Sequence, residues 1–192
     1  TVVTQTTPGA VRANNEDSLL WDPVLGLIAV ADGMGGHNAG EVASRMALDV
    51  LQRFLKDSSG NETQVWPFGY DQKLSGPVNR MRTAVKLANR DVLRTSEERP
   101  ECAGMGTTLT AALAEGPHVI VANVGDSRLY AYMRATGEFR QRTRDDSWVG
   151  MLADAAGVDL SALEGHPMKH ALTNVLGRRP ERNVHIDEIT LA

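Results

Sequence analysis

Three apolar stretches, TTLTAAL, HVIVANV and RLYAYM, follow one another between residues 107 and 133. Their side chains follow a period of two, and the turns Glu115-Gly-Pro and Gly125-Asp-Ser separate them, so we read them as successive strands. Helical patterns precede this run and do not alternate with it. Helices clustered between runs of consecutive strands are typical of an α+β fold with antiparallel sheets, and they argue against repeated βαβ units.

The remaining elements follow from apolar spacing. Helices are predicted over 40–55 and 78–92, where apolar residues recur every three or four positions. Two further helices are predicted over 147–156 and around HALTNVL (170–176). Strands are predicted for TVVTQTT at the start of the chain, SLLW, GLIAVA, GEFRQRT and VHIDEITL.

Composition limits the classes of protein and partner. A chain of 192 residues with 42% hydrophobic residues suits one globular domain, here taken as 1–192. Its net charge of −4 makes nucleic acid and anionic membranes poor partners, and a phosphorylated substrate would need a local cation. Cys102 is the single cysteine, which excludes a disulfide framework. No signal peptide or membrane-spanning run is recognisable, so we expect a cytoplasmic protein whose oligomeric state the sequence leaves open.

The stretch VADGMGGHNAGEVAS (30–44) reads as a strand end, a glycine-rich turn and a helix start. A dinucleotide-binding loop has this order, but Asp32 would repel a pyrophosphate there. A carboxylate at a strand end, followed by a glycine whose carbonyl can approach the same ion, suits all-oxygen ligation of Mg²⁺ or Mn²⁺. The alternative for Asp32 is a turn or helix cap.

Two other polar motifs carry candidate residues. RANNED (12–17) offers Arg12 as a planar fork for phosphate oxygens, although such a segment is more often a solvated loop. Glu16 and Asp17 are neighbours, so on a strand they point to opposite faces and are not both expected to reach one metal. VGDSR (124–128) carries Asp126, and its simplest interpretation is a hairpin turn.

Taken together and in this order, VRANNEDS, VADGMGGHNAGEVAS, GMGTTLTAAL and NVGDSRLY resemble the bacterial branch of the metal-dependent type 2C serine/threonine protein phosphatases. TRDDSWV, GHPMKHALTNVLG and VHIDEITL extend the resemblance over nearly the whole chain. The resemblance implies a sandwich of two antiparallel β-sheets flanked by α-helices, a four-layer αββα arrangement. It also implies phosphoserine and phosphothreonine proteins, linked to a kinase, as substrates.

The same resemblance assigns the site residues. Asp32 would bridge two Mn²⁺ or Mg²⁺ ions, Gly33 would add its carbonyl, and Glu16 would hold the second ion, partly through water. Asp126 would serve a third, weaker metal site. Arg12 would bind the phosphate, and a metal-bridging hydroxide would attack it. His37 matches the residue suggested as general acid for the leaving group, and the alternative for it is a surface histidine that packs the turn.

Two departures from the family pattern stand out. Asp146 replaces the usual histidine of Thr-x-Asp-His-Ser, which adds a negative charge near the cleft and is expected to alter flap packing or metal occupancy. A later strand ending in Ser-Asp-Gly-Leu and an Asp-Asn pair do not follow VHIDEITLA, so the domain is expected to be incomplete at its C-terminal end. Three explanations stay open: part of a longer active phosphatase, a non-catalytic phosphoprotein-binding or regulatory pseudophosphatase module, or a site completed by another chain.

Overall fold

The computed structural model describes residues 1–10, 14–36, 39–61, 63–156, 166–168, 171–179 and 183–190. Arg12 and His37 lie outside these ranges. The helices are α1 (Ala39–Asp57), α2 (Gly76–Glu98) and α3 (Trp148–Ala156), with a short 3₁₀ turn at Pro100–Cys102. The strands are β1 (Asp17–Asp22), β2 (Leu27–Met34), β3 (Gly106–Thr107), β4 (Leu109–Glu115), β5 (His118–Val124), β6 (Tyr130–Met133), β7 (Glu138–Gln141) and β8 (His185–Thr190).

Within the described ranges, one antiparallel sheet of six strands dominates the fold. Its order is β1-β2-β4-β5-β8, and the short β3 pairs with the end of β2. Strands β6 and β7 form a separate two-stranded antiparallel ribbon. The predicted α+β fold with antiparallel sheets is therefore confirmed.

Helices α1 and α2 cover one face of the main sheet. The buried residues of α1 include Ala43, Ala47, Leu51 and Leu55, which recur every four positions and form one apolar stripe. Ser75 caps α2 by accepting a hydrogen bond from the Val78 amide. No helix in the described part of the chain combines the length and the apolar composition needed to cross a bilayer.

The opposite face of the sheet is more open. Register pairs Leu19 with Val30 and Trp21 with Ile28, so the four side chains share this face. They are between 36% and 43% exposed. A cavity of 350 Å³ beside them is bounded partly by residues 2–5 of the N-terminal segment and by residues 128–130.

Two predicted elements are wrong. Residues 1–8 are not a strand, because no ladder in the described ranges pairs them, and a strand needs a partner for its backbone groups. The described part of HALTNVL, residues 171–176, is extended and not helical. There Leu176 exchanges two backbone hydrogen bonds with Thr107, and the Thr173 amide donates to the Asp146 carbonyl. These long-range bonds take the backbone groups that a helix would use internally.

Candidate metal centre

Asp32 lies near the end of β2, and its main chain is fixed by two threonines. The Asp32 amide donates to the Thr108 hydroxyl at 2.9 Å. The Asp32 carbonyl accepts from the Thr108 amide at 2.9 Å and from the Thr107 hydroxyl at 3.0 Å. The residue itself is exposed on the open face of the sheet. Its carboxylate therefore sits on a rigid backbone at a solvent-accessible strand end.

Asp17 is directly opposite Asp32 in the β1–β2 register. Directly paired residues of antiparallel strands point to the same face, and like charges in such a pair are destabilising. A divalent cation beside the two carboxylates would offset this repulsion. Sequence reasoning did not select Asp17 as a site residue, because only the strand register brings it next to Asp32.

Glu16 is held by its main chain where β1 begins. Its carbonyl accepts from the Gly33 amide at 3.1 Å and from the Ser44 hydroxyl of α1 at 2.7 Å. The Ser44 hydroxyl also lies 2.9 Å from that of Ser18. The start of β1, the end of β2 and the first turns of α1 thus meet at one point.

The Glu16 carboxylate and the Gly33 carbonyl group converge over Gly40, the second residue of α1. A Cβ added to Gly40 would lie 2.6 Å from Glu16 Oε1 and 2.9 Å from the carbonyl carbon of Gly33. A Cβ added to Gly33 would lie 2.0 Å from the Gly40 carbonyl oxygen. The Glu16 carboxylate and the Gly33 main chain therefore both pack against Gly40, and both glycines are required by close approach.

The turn that carries Asp126 is connected to the end of β2 through Thr108. The preceding Gly125 has φ +104°, and a Cβ there would lie 2.6 Å from Thr108 Cγ2. The Thr108 hydroxyl lies 2.8 Å from that of Ser127. Because the same threonine binds the Asp32 main chain, it joins the Gly125–Ser127 turn to the end of β2. Sequence patterns did not reveal the supporting roles of Thr107 and Thr108, although both belong to the motif GMGTTLTAAL.

The donor chemistry of these residues fits a hard divalent cation. Glu16, Asp32, Asp126 and the Gly33 carbonyl supply only oxygen atoms, which suits Mg²⁺ or Mn²⁺. The described ranges contain no group of three or more His, Cys, Asp or Glu side chains that could hold an ion by themselves. These residues fit such an ion in type, and its coordination would need water or further donors.

Asp146, the departure from the family pattern, accepts hydrogen bonds at both carboxylate oxygens. Oδ2 accepts from the Gly125 amide at 3.1 Å and from Asn174 Nδ2 at 2.7 Å. Oδ1 lies 2.7 Å from His185 Nε2. Asp146 thus joins Gly125, Asn174 and His185 in one hydrogen-bonded cluster, and its expected effect on flap packing relative to histidine stays a prediction. Its effect on metal occupancy stays a prediction.

A cavity of 940 Å³ opens beside this cluster, between α2 and the segments 144–151, 173–179 and 183–185. None of Glu16, Asp32, Gly33 and Asp126 lines it. Its wall includes Asp145, which binds the Arg128 guanidinium and raises its pKa. The cavity therefore adjoins the Asp146 cluster and is separate from the candidate metal centre.

Comparison with known proteins gives a consistent picture. The family model described as "Protein phosphatase 2C" matches residues 10–153. Serine/threonine protein phosphatase PstP of Mycobacterium tuberculosis is 35% identical over 168 residues, which are 88% of this chain and 29% of PstP. Serine/threonine phosphatase stp of Listeria welshimeri is 32% identical over 190 residues, covering 95% of this chain and 68% of stp. The chain thus spans less than a third of the length of the mycobacterial relative.

A solved structure extends the comparison to the fold. The catalytic domain of PstP in complex with two manganese ions superposes with a TM-score of 0.71 at 33% identity. The match covers 96% of this chain and 69% of that domain.

Proposed function

Because the chain belongs to the protein phosphatase 2C family, we propose that it is a metal-dependent serine/threonine phosphoprotein phosphatase domain over residues 1–192. The observation that carries the proposal is the convergence of the Glu16 carboxylate and the Gly33 carbonyl group over Gly40. The paired carboxylates of Asp17 and Asp32 at the same strand ends support it. This arrangement supplies negative oxygen donors where a structural turn would need none.

The residues of the chain have separate tasks in this proposal. When bound, two Mn²⁺ or Mg²⁺ ions supply Lewis acidity that activates water and offsets phosphate charge. Asp32, Glu16 and the Gly33 carbonyl hold these ions, and Asp126 serves a third, weaker one. Arg12 binds the phosphate oxygens through its planar guanidinium, and His37 protonates the leaving alkoxide.

The manganese ions of the solved PstP domain support this cofactor assignment by similarity. The substrates proposed are phosphoserine and phosphothreonine proteins made by a kinase. A cytoplasmic location is proposed with them. This location agrees with the free, buried thiol of Cys102, because proteins in reducing compartments keep their thiols reduced and rarely form disulfides.

One observation favours a second candidate, a non-catalytic phosphoprotein-binding module. The described residues hold no group of three acidic or histidine ligands, so a chain with this ligand set could bind a phosphoprotein without turning it over. Metal-dependent turnover by this chain separates the two functions, because a binding module would retain the phosphopeptide and release no phosphate.

Asp32→Asn tests the proposal directly. The substitution removes the charge and keeps the shape, and the backbone bonds of residue 32 are unaffected. We expect phosphate release from a phosphothreonine peptide to depend on Mn²⁺, to stop with a chelator, and to fall by roughly 100-fold or more in the variant.

Asp57→Asn is the matched control, because Asp57 is an exposed carboxylate at the far end of α1. It should leave both Mn²⁺ dependence and rate unchanged. Equal rates for wild type and Asp32→Asn would remove Asp32 from the site. Binding of the phosphopeptide without any phosphate release would favour the binding module.

A further inference from the structure

Asp146 and Gly125 are joined by two hydrogen bonds, and each residue donates one of them. The Asp146 amide donates to the Gly125 carbonyl at 2.9 Å, and the Gly125 amide donates to Asp146 Oδ2 at 3.1 Å. The Gly125 carbonyl also accepts from Asn123 Nδ2 at 3.2 Å. Both backbone polar groups of Gly125 are therefore satisfied, and Asp146 supplies a partner to each.

The other side of Asp146 is anchored in two later segments. Its carbonyl accepts from the Thr173 amide at 2.8 Å and from the Thr173 hydroxyl at 3.0 Å. Asn174 Nδ2 bridges Oδ2 and the carbonyl of Asn183, at 2.7 and 2.9 Å. Oδ1 faces His185 at the start of β8, and the Asp146 side chain is only 11% exposed. Asp146 is thus held by both later segments as well as by the turn.

We propose that Asp146 is a positioning residue that fixes the turn carrying Asp126, and so sets the metal affinity of that position. The inference rests on the proposed function for the role of Asp126 as a metal ligand. Gly125 has φ +104°, a backbone conformation that other residues rarely adopt, so the turn depends on external hydrogen bonds to define its direction. Asp126 follows this glycine directly, and a rotation of the turn would redirect its carboxylate.

Two substitutions at this position separate geometry from charge. Asp146→Ala removes the acceptor of the Gly125 amide. Asp146→Asn can keep all three contacts: its Oδ1 accepts from Gly125 and Asn174, while its Nδ2 donates to His185 Nε2 in the tautomer protonated at Nδ1. A positioning role therefore predicts that the alanine variant loses function and that the asparagine variant retains it.

Asn79→Ala supplies a matched control for lost stability. Asn79 is completely buried in α2, and its side-chain amide donates to the carbonyls of Asp71, Leu74 and Ser75. Its side-chain oxygen accepts from the Asp71 amide. The variant breaks a buried network of similar size that has no bond to Gly125 or Asp146 among those described. It should unfold at a lower temperature without changing metal binding.

The test uses two readouts that do not need turnover. Amide hydrogen exchange at Gly125 reports the hydrogen bonds that hold the turn, and titration with Mn²⁺ followed by electron paramagnetic resonance reports ion binding without substrate. For Asp146→Ala we expect faster exchange at Gly125 and weaker binding of one Mn²⁺ by roughly tenfold. Asp146→Asn should stay within about twofold of wild type, and Asn79→Ala should match wild type in both readouts.

The outcomes separate this inference from the proposed function. Wild-type exchange and Mn²⁺ affinity in Asp146→Ala would overturn the inference, whether or not the chain hydrolyses phosphopeptides. An equal loss in the alanine and asparagine variants would also overturn it, because charge and not hydrogen bonding would then be decisive. Failure of the proposed function would appear instead in the wild-type chain, as phosphate release from the phosphopeptide that does not depend on Mn²⁺.

Discussion

Gly40→Ala should displace the Glu16 carboxylate by a predictable distance. The new Cβ would lie 2.7 Å from Glu16 Cδ and 2.6 Å from Oε1. Carbon atoms in contact prefer separations of roughly 3.5–4.0 Å, so the carboxyl carbon has to retreat by roughly 0.8–1.3 Å. The carbonyl carbon of Gly33, at 2.9 Å from the same point, belongs to the backbone and can yield less than the side chain.

The cost should fall on function more than on stability. Alanine in place of glycine inside a helix is worth up to about 1 kcal/mol, while overpacking costs about 1–3 kcal/mol. We therefore expect the free energy of unfolding to fall by about 0–2 kcal/mol. Misplacement of a functional group by about 1 Å can lower the rate roughly 100-fold, or about 2.7 kcal/mol. A loss of that size in kcat/KM is the predicted result.

The assay is phosphate release from a phosphothreonine peptide across a Mn²⁺ titration, with urea unfolding measured on the same samples. Gly36→Ala is the matched control, because a Cβ there meets nothing within 4 Å. That variant should keep the wild-type rate and the wild-type half-saturating Mn²⁺ concentration. If Gly40→Ala also kept both, the Glu16 carboxylate would not need its position over Gly40, and the site as described would be refuted.

Two further predictions concern stability. Arg80 donates to both carboxylate oxygens of Glu115 and to the Leu55 carbonyl near the end of α1; we expect Arg80→Ala to lower the free energy of unfolding by about 1–3 kcal/mol and Arg80→Lys not to restore it. Urea unfolding checks this, and no loss in Arg80→Ala would contradict it. The hydrogen bond from Gln52 lowers the pKa of Asp22 from its ordinary value, so the stabilisation from this bond is present above the ordinary aspartate pKa and is lost as the pH falls through the lower folded-state value. The difference in urea midpoint between wild type and Gln52→Ala should therefore shrink below about pH 4, whereas a pH-independent difference would exclude the linkage.

Local patterns predicted the elements that build the site. The apolar stretch before Asp32 forms β2. The residues with helical apolar spacing over 40–55 lie in α1, and their apolar side chains form its buried stripe. The residues that alternate with a period of two after residue 107 form β4 and β5, and the tight turn between these strands sets their pairing. Each of these elements is defined by neighbours in sequence, which is why its pattern is readable there.

Contacts between distant segments could not be read in the same way. Asp17 meets Asp32 only through the register of β1 on β2, and a slip of one residue would turn the two side chains to opposite faces. Asp146 meets His185 across 39 residues of sequence. The apolar spacing of segment 171–176 predicts a helix. That prediction is wrong because the backbone bonds of the segment to Thr107 and Asp146 join residues that are distant in sequence and leave no local pattern.

The site is positioned chiefly by main-chain atoms, and this decides which substitutions test it cleanly. Asp32 is fixed through its amide and carbonyl, and Glu16 through its carbonyl. The fixed atoms belong to the backbone, so exchange of either carboxylate for an amide keeps these main-chain hydrogen bonds and removes the charge offered to an ion. Asp32→Asn therefore isolates electrostatics, whereas Gly40→Ala keeps every charge and shifts geometry. Loss of Mn²⁺ binding in both would require that charge and position act together, and loss in only one would identify which of them the site depends on.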